Sequence, residues 1–130
     1  MIDLQAARRF LNERERNRQE VLDISFKQAT MDFQAIVHRI EEGYRPMRIY
    51  QWGSLTDRGR FSEISDIDIA VEGIDSAERF FALLKDCERL TQFPLDIVQI
   101  ERIEPEYAAL VREKGRIVYE RSSQDPKSQE

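Results

Sequence analysis

The sequence predicts an α+β fold, a two-layer arrangement in which a mixed β-sheet packs against helices, with a long helix at the N-terminus. Three observations carry this prediction. From Ile2 to Glu42 no proline or glycine interrupts a run of good helix formers. Short apolar segments at residues 48–52, 67–71, 93–100 and 117–119 have the length and composition of strands. Helical stretches separate the later strands, which favours helices layered on one sheet. At 130 residues and 15.4 kDa the chain fits one domain. It divides into an N-terminal helical arm (1–31), a core domain (32–120) and a polar tail (121–130) that reads as disordered.

Within the long helix, Leu22, Phe26, Ala29, Phe33, Ile36, Val37 and Ile40 recur at spacings of three and four, a stripe that should pack on the sheet. Gly43 is expected to end the helix before Pro46. The first half differs: after Leu4, Ala7 and Leu11, no apolar side chain occurs from Asn12 to Glu20. Arg14, Glu15, Arg16 and Arg18 suit surface ion pairs worth a few tenths of a kcal/mol each. This arm reads either as a contact surface or as a solvated extension, and its patch at Leu4, Phe10 and Leu11 needs cover from this chain, a twin subunit or a partner.

The strand at 48–52 ends in Gly53-Ser54, followed by an expected helix start at Ser54-Leu55-Thr56-Asp57. Glycine lets a backbone approach a ligand closely, and N–H groups at such a turn, with the Ser54 hydroxyl, suit phosphate oxygens. The next strand opens Asp66-Ile67-Asp68. Alternation puts both carboxylates on one face, about 6–7 Å apart at their backbones, while Ile67, Ile69 and Val71 point into the core. Two such acids repel each other unless a positive group lies between them, and their hard oxygens suit Mg²⁺. Asp75 or Ser76 should cap a helix reaching about Leu90, with Phe80, Phe81, Leu83 and Leu84 inward. In Phe93-Pro94-Leu95-Asp96-Ile97-Val98-Gln99-Ile100, Asp96 is the only charge in a run apolar enough for burial on both faces, where it would need a metal, a cation or a shifted pKa. Pro105 opens a helix carrying Tyr107, Leu110 and Val111, Gly115 stops it, and 117–119 forms the last strand.

Several residues read more simply. Cys87 cannot form an internal disulfide and is expected to be an inert packing residue. His38, the only histidine, lacks neighbours that would complete a zinc site. Trp52 favours core packing over stacking on a base. A net charge of -5 argues against a phosphate-backbone partner, so direct nucleic-acid binding is not expected. The N-terminus reads as a charged amphipathic segment, not as a signal peptide, and no run approaches the length of a membrane span, so a cytoplasmic location is expected.

Taken together, Trp52-Gly53-Ser54, Ser65-Asp66-Ile67-Asp68-Ile69-Ala70-Val71 and Leu95-Asp96-Ile97-Val98 resemble the nucleotidyltransferase superfamily related to DNA polymerase beta, and the small size resembles its minimal branch. The resemblance covers about residues 32–120. It implies Asp66, Asp68 and Asp96 as catalytic and metal-holding acids, Mg²⁺ as cofactor and ATP as substrate, with Asp96 also placed to act as base. Gly53, Ser54, Arg58 and Arg60 are the implied nucleotide-binding residues. Many minimal members carry a basic residue straight after Gly-Ser; here Leu55 takes that place and Arg58-Gly59 comes one residue late, which leaves open whether Arg58 or Arg60 faces the phosphates.

The resemblance is greatest to antitoxins that transfer AMP to a tyrosine of a HEPN-type ribonuclease toxin, which implies a protein partner. A homo-oligomer through the N-terminal helix is a further possibility of that arm. Two rival readings are nucleotidyl transfer to a small-molecule hydroxyl and a non-catalytic module that binds nucleotide or toxin.

Overall fold

The computed structural model of the chain describes residues 3–122. Helix α1 (Leu4–Tyr44) is one continuous element of 41 residues, capped by Asp3, whose carboxylate accepts from the N–H groups of Gln5 and Ala6 at 3.0 and 3.1 Å. From Ala7 to Val21 every residue is exposed, and burial begins at Leu22. Leu22, Phe26 and Ala29, within the span grouped with the arm on sequence grounds, therefore pack on the body. Gly43 does not end the helix. α1 continues to Tyr44, and Arg45 takes the left-handed conformation (φ 47°) with its N–H on the Ile40 carbonyl. The reason is tertiary: Tyr44 is buried, its hydroxyl donates to Asp86 at 2.5 Å, and Arg79 Nη2 donates to its carbonyl at 2.7 Å.

Strands β1 (Arg48–Trp52), β2 (Ile67–Glu72), β3 (Leu95–Gln99) and β4 (Arg116–Glu120) form a single sheet in the order β3-β2-β1-β4. β1 runs antiparallel to both β2 and β4, and β2 runs parallel to β3, so the sheet is mixed as expected. The parallel step is spanned by α2 (Ala77–Glu88), which Ser76 caps by accepting from the Arg79 N–H at 3.1 Å. α3 (Pro105–Lys114) returns the chain to β4. It stops at Gly115, where a Cβ would collide with the Val111 carbonyl.

Alternation divides the core between the two faces of the sheet. Ile49, Ile67, Ile69, Val71 and Ile97 pack against the α1 stripe and against Leu83 and Cys87 of α2. Tyr50 and Ala70 face the other way, beneath Ala108 and Val111 of α3. α1 and α2 thus cover one face and α3 part of the opposite one. Phe81, expected inward, is 62% exposed, because the buried line of α2 runs through Leu83 and Cys87. Cys87 is fully buried and desolvation pushes its thiol up to about 12, as suits a packing residue. Arg121, placed in the tail, is tied to the body: its N–H donates to the Met47 carbonyl at 2.9 Å and its Nη1 to the Arg45 carbonyl at 3.1 Å. Residues 123–130 of that tail lie outside the described residues. Among the described residues no helix is long and apolar enough to cross a membrane.

Glu72, at the end of β2, joins three elements. It accepts from Tyr50 Oη at 3.1 Å, Arg48 Nη1 at 3.2 Å and, from α3, Arg112 Nη2 at 2.7 Å. Burial alone would raise its pKa, but Arg112, Arg48 and Tyr50 outweigh burial and hold it below the usual value. Glu72→Ala is expected to lower stability by about 2 kcal/mol at pH 7, less than a fully buried pair because both arginines are partly exposed. A depressed carboxylate stabilises the fold above its unfolded pKa and loses that contribution as pH falls through the folded value. Urea unfolding should therefore show the two proteins converging in acid, and equal midpoints at pH 7 would contradict the assignment.

Candidate active site

Burial of Ile67, Ile69 and Val71 on one side of β2 leaves Asp68 on the other. Registration then places its neighbours. Asp68 is paired with Trp52 across the antiparallel step and with Asp96 across the parallel one. Adjacent residues in register share a face of the sheet, so Asp68 and Asp96 stand side by side on strands about 4.8 Å apart. Asp66 lies just before β2, two residues from Asp68. Asp68 is half-buried, and its pKa is pushed up to about 6, first by burial and then by the charges of Asp96 and Asp66. The three acids expected from sequence are thus electrostatic neighbours, with Asp68 at their centre.

The turn after β1 closes on the same carboxylate. Gly53 has φ 82°, and a Cβ there would run into Asp68 Oδ2. A side chain at this position would be both strained and in the way, which accounts for the glycine. The helix expected from Ser54 is replaced by two single 3₁₀ turns, Ser54–Thr56 and Arg58–Arg60. Side chains compete for the backbone here: Thr56 Oγ1 donates to the Gly53 carbonyl at 2.7 Å, and Asp57 Oδ1 accepts from the Gly59 N–H at 2.9 Å. Ser54 remains at the turn, half-buried.

Two expectations change. Asp96 is exposed, because β3 is an edge strand, so the cost of burying it does not arise. The half-buried acid is Asp68. Arg58 is directed at α1, with Nε donating to Asp23 Oδ1 at 2.7 Å and Nη2 to Gln19 Oε1 at 3.2 Å. Arg60 is exposed and pairs with none of the described side chains.

Tyr107 is the residue that sequence reasoning missed as part of this site. Its ring meets Trp52 edge-on at 5.1 Å, and burial, Asp96 and Asp68 together raise its pKa. Only the placement of α3 over this face brings it there; the sequence marks it as no more than an aromatic in the first turn of a helix. Trp52 is half-buried and packs against the core beneath α3, as expected, while pairing with Asp68 across the sheet.

Asp68 and Asp96 share a face of the sheet and Asp66 precedes β2 close enough to act on Asp68, so hard-oxygen donors crowd negative charge there, which a divalent cation would relieve. Among the described residues, no three His, Cys, Asp or Glu side chains are already drawn together into a set able to hold a metal. Asp68 and Asp96 stand in register with Asp66 just before the strand, and the donor chemistry of the three fits Mg²⁺.

The profile of the family described as "Polymerase beta, Nucleotidyltransferase" matches residues 34–124, well over half of the chain. The chain belongs to this nucleotidyltransferase family. No curated protein matches it. The family match starts within α1 and takes in all four strands, so Gly53-Ser54, Asp66, Asp68 and Asp96 all lie inside this nucleotidyltransferase domain.

The raised pKa of Asp68 has a stability consequence whose sign is fixed. A carboxyl with a folded pKa above its unfolded value favours the fold while protonated, and that contribution is lost as pH rises through about 6. Asp68→Asn is therefore expected to be more stable than the parent at pH 7.5, by on the order of 2 kcal/mol, and nearly equal to it at pH 4. Thermal unfolding in metal-free buffer across this range reads the difference, and a pH-independent difference would remove the assigned cause.

Proposed function

We propose that this nucleotidyltransferase is magnesium-dependent and transfers AMP from ATP to a tyrosine hydroxyl of a partner protein, a HEPN-type ribonuclease toxin for which it serves as antitoxin. The observation that carries the transfer chemistry is the registration of Asp68 with Asp96 beside the Gly53 turn. Asp66, Asp68 and Asp96 would hold the metal, which when bound supplies positive charge to the triphosphate and its leaving group. Gly53 leaves the space above the Asp68 carboxylate clear, and Ser54 offers a hydroxyl donor next to it. Arg60 is the cation of the loop left available to an anionic ligand.

Asp96 is the base in this reading. Its exposure on an edge strand favours an acceptor that arrives from outside, because a hydroxyl on a folded protein can approach it without rearrangement. The protein partner finds further support in α1, where Leu4, Phe10, Leu11, Val21, Ile24 and Met31 are all exposed. Exposed apolar residues of this helix are also what a twin subunit would use if the chain pairs with itself.

The test combines the chain, Mg²⁺ and ATP labelled at the alpha-phosphate with lysate of the source cell. A labelled protein band that disappears with Asp66→Ala is expected, with the modified tyrosine identified by mass spectrometry. Asp96→Asn is expected to cut labelling by about 10²–10⁴-fold without lowering the thermal midpoint, since the side chain is exposed and its charge only repels Asp68. Full labelling by Asp96→Asn would remove it from the base role. Label confined to small molecules would overturn the protein acceptor.

A further inference from the structure

The segment between Ser54 and Asp66 contains no regular element longer than one turn, yet it connects the Gly53-Ser54 turn to the acids. Its position is set by the middle of α1, through three attachments. Arg58 Nε donates to Asp23 Oδ1 at 2.7 Å, while its Nη2 donates to Gln19 Oε1 at 3.2 Å and to the Gln19 carbonyl at 3.4 Å. Phe61 is buried with its ring edge-on to Phe26 at 5.4 Å. Arg18 Nε donates to Glu63 Oε1 at 2.9 Å. A guanidinium is a rigid fork, and one that directs Nε and an Nη at a single helix is not aimed elsewhere.

We infer that Arg58 is a positioning residue that clamps the segment to α1 through Asp23 and Gln19, and that it makes no contact with the triphosphate. Arg58 is the less exposed partner of the pair, and its own backbone sits in the second 3₁₀ turn, so fixing its guanidinium fixes the turn. The clamp sets how far the Gly53-Ser54 end lies from the Asp66 end before any ligand binds. A nucleotide then meets an ordered segment, and less ordering is left for binding to bring about. The ligand half of this inference rests on the nucleotidyl-transfer reading; the clamp itself does not.

The experiment uses the full chain as wild type, Arg58→Ala, Asp23→Ala and the double variant. Amide hydrogen exchange over residues 54–66 is measured without ligand, and binding of a non-hydrolysable ATP analogue with Mg²⁺ is measured by calorimetry. Both single variants are expected to speed exchange in the segment by about tenfold and to weaken the analogue severalfold and to a similar extent, with the double variant no worse than either. Loss of analogue binding in Arg58→Ala alone, with Asp23→Ala like wild type in both measurements, would overturn the clamp in favour of direct phosphate contact. Exchange in the segment that is unchanged in every variant would overturn it as well. If the wild type binds no analogue at millimolar concentration, the nucleotide reading fails while the exchange data still decide the clamp. Should Arg58→Ala fail to fold, Asp23→Asn, which removes the charge at nearly constant shape, takes its place.

Discussion

The alternation of β2 is the constraint on which the other features rest. Ile67, Ile69 and Val71 are almost completely buried, so the intervening Asp68 must face away from that core. A slip of one residue would expose three large apolar side chains, at roughly 1.5–3 kcal/mol each, and push a carboxylate into their place. That cost rivals the whole stability of an ordinary domain. The register is therefore not adjustable, and the flanking strands inherit it: Ile97 pairs with Ile69 and Asp96 with Asp68 on one side, Ile49 with Val71 and Trp52 with Asp68 on the other. The apolar core and the acidic site are two faces of one arrangement.

This explains which parts of the fold were legible in the sequence. β2 announces itself through its own period, and with it the face that Asp68 takes. The Ser76 cap, Pro105 and Gly115 mark helix ends because their effects act within a few residues. Asp96 is different, because its run is apolar enough for a central strand, and only strand order decides that β3 lies at the edge. Strand order follows from the parallel crossover through α2, which no local pattern encodes. Tyr107 was hidden for the same reason. Gly43 and Ser54 fail in the opposite direction: local signals for a helix end and a helix start were present, and a tyrosine anchored to Asp86 overrode the first while side-chain hydrogen bonds from Thr56 and Asp57 overrode the second.

α1 joins these levels. Its stripe from Leu22 to Tyr44 supplies one wall of the core, and the residues just before and beside that wall hold the segment that bears the candidate site. The exposed turns from Ala7 to Val21 continue a helix already nucleated by the packed half, so they need little stability of their own. A change in how this helix sits would be felt at Arg58 and Glu63 before it reached the acids.

Two acids on one strand are surrounded in opposite ways. Asp68 and Glu72 are four residues apart on the same face of β2, and neither is fully buried. Burial pushes both pKa values upward. At Glu72 the chain answers with Arg48, Arg112 and Tyr50, and the carboxylate ends below its usual value. At Asp68 the neighbours are Asp96 and Asp66, which push in the same direction as burial and leave it near 6. A fold selected only for stability would treat the two positions alike, since a basic side chain on β1, β3 or α3 is within the means of this sequence. The chain instead gathers like charges around Asp68 and keeps a glycine beside its oxygen. A cation bound beside Asp68 would relieve that repulsion, and the relief would add to the free energy of its binding.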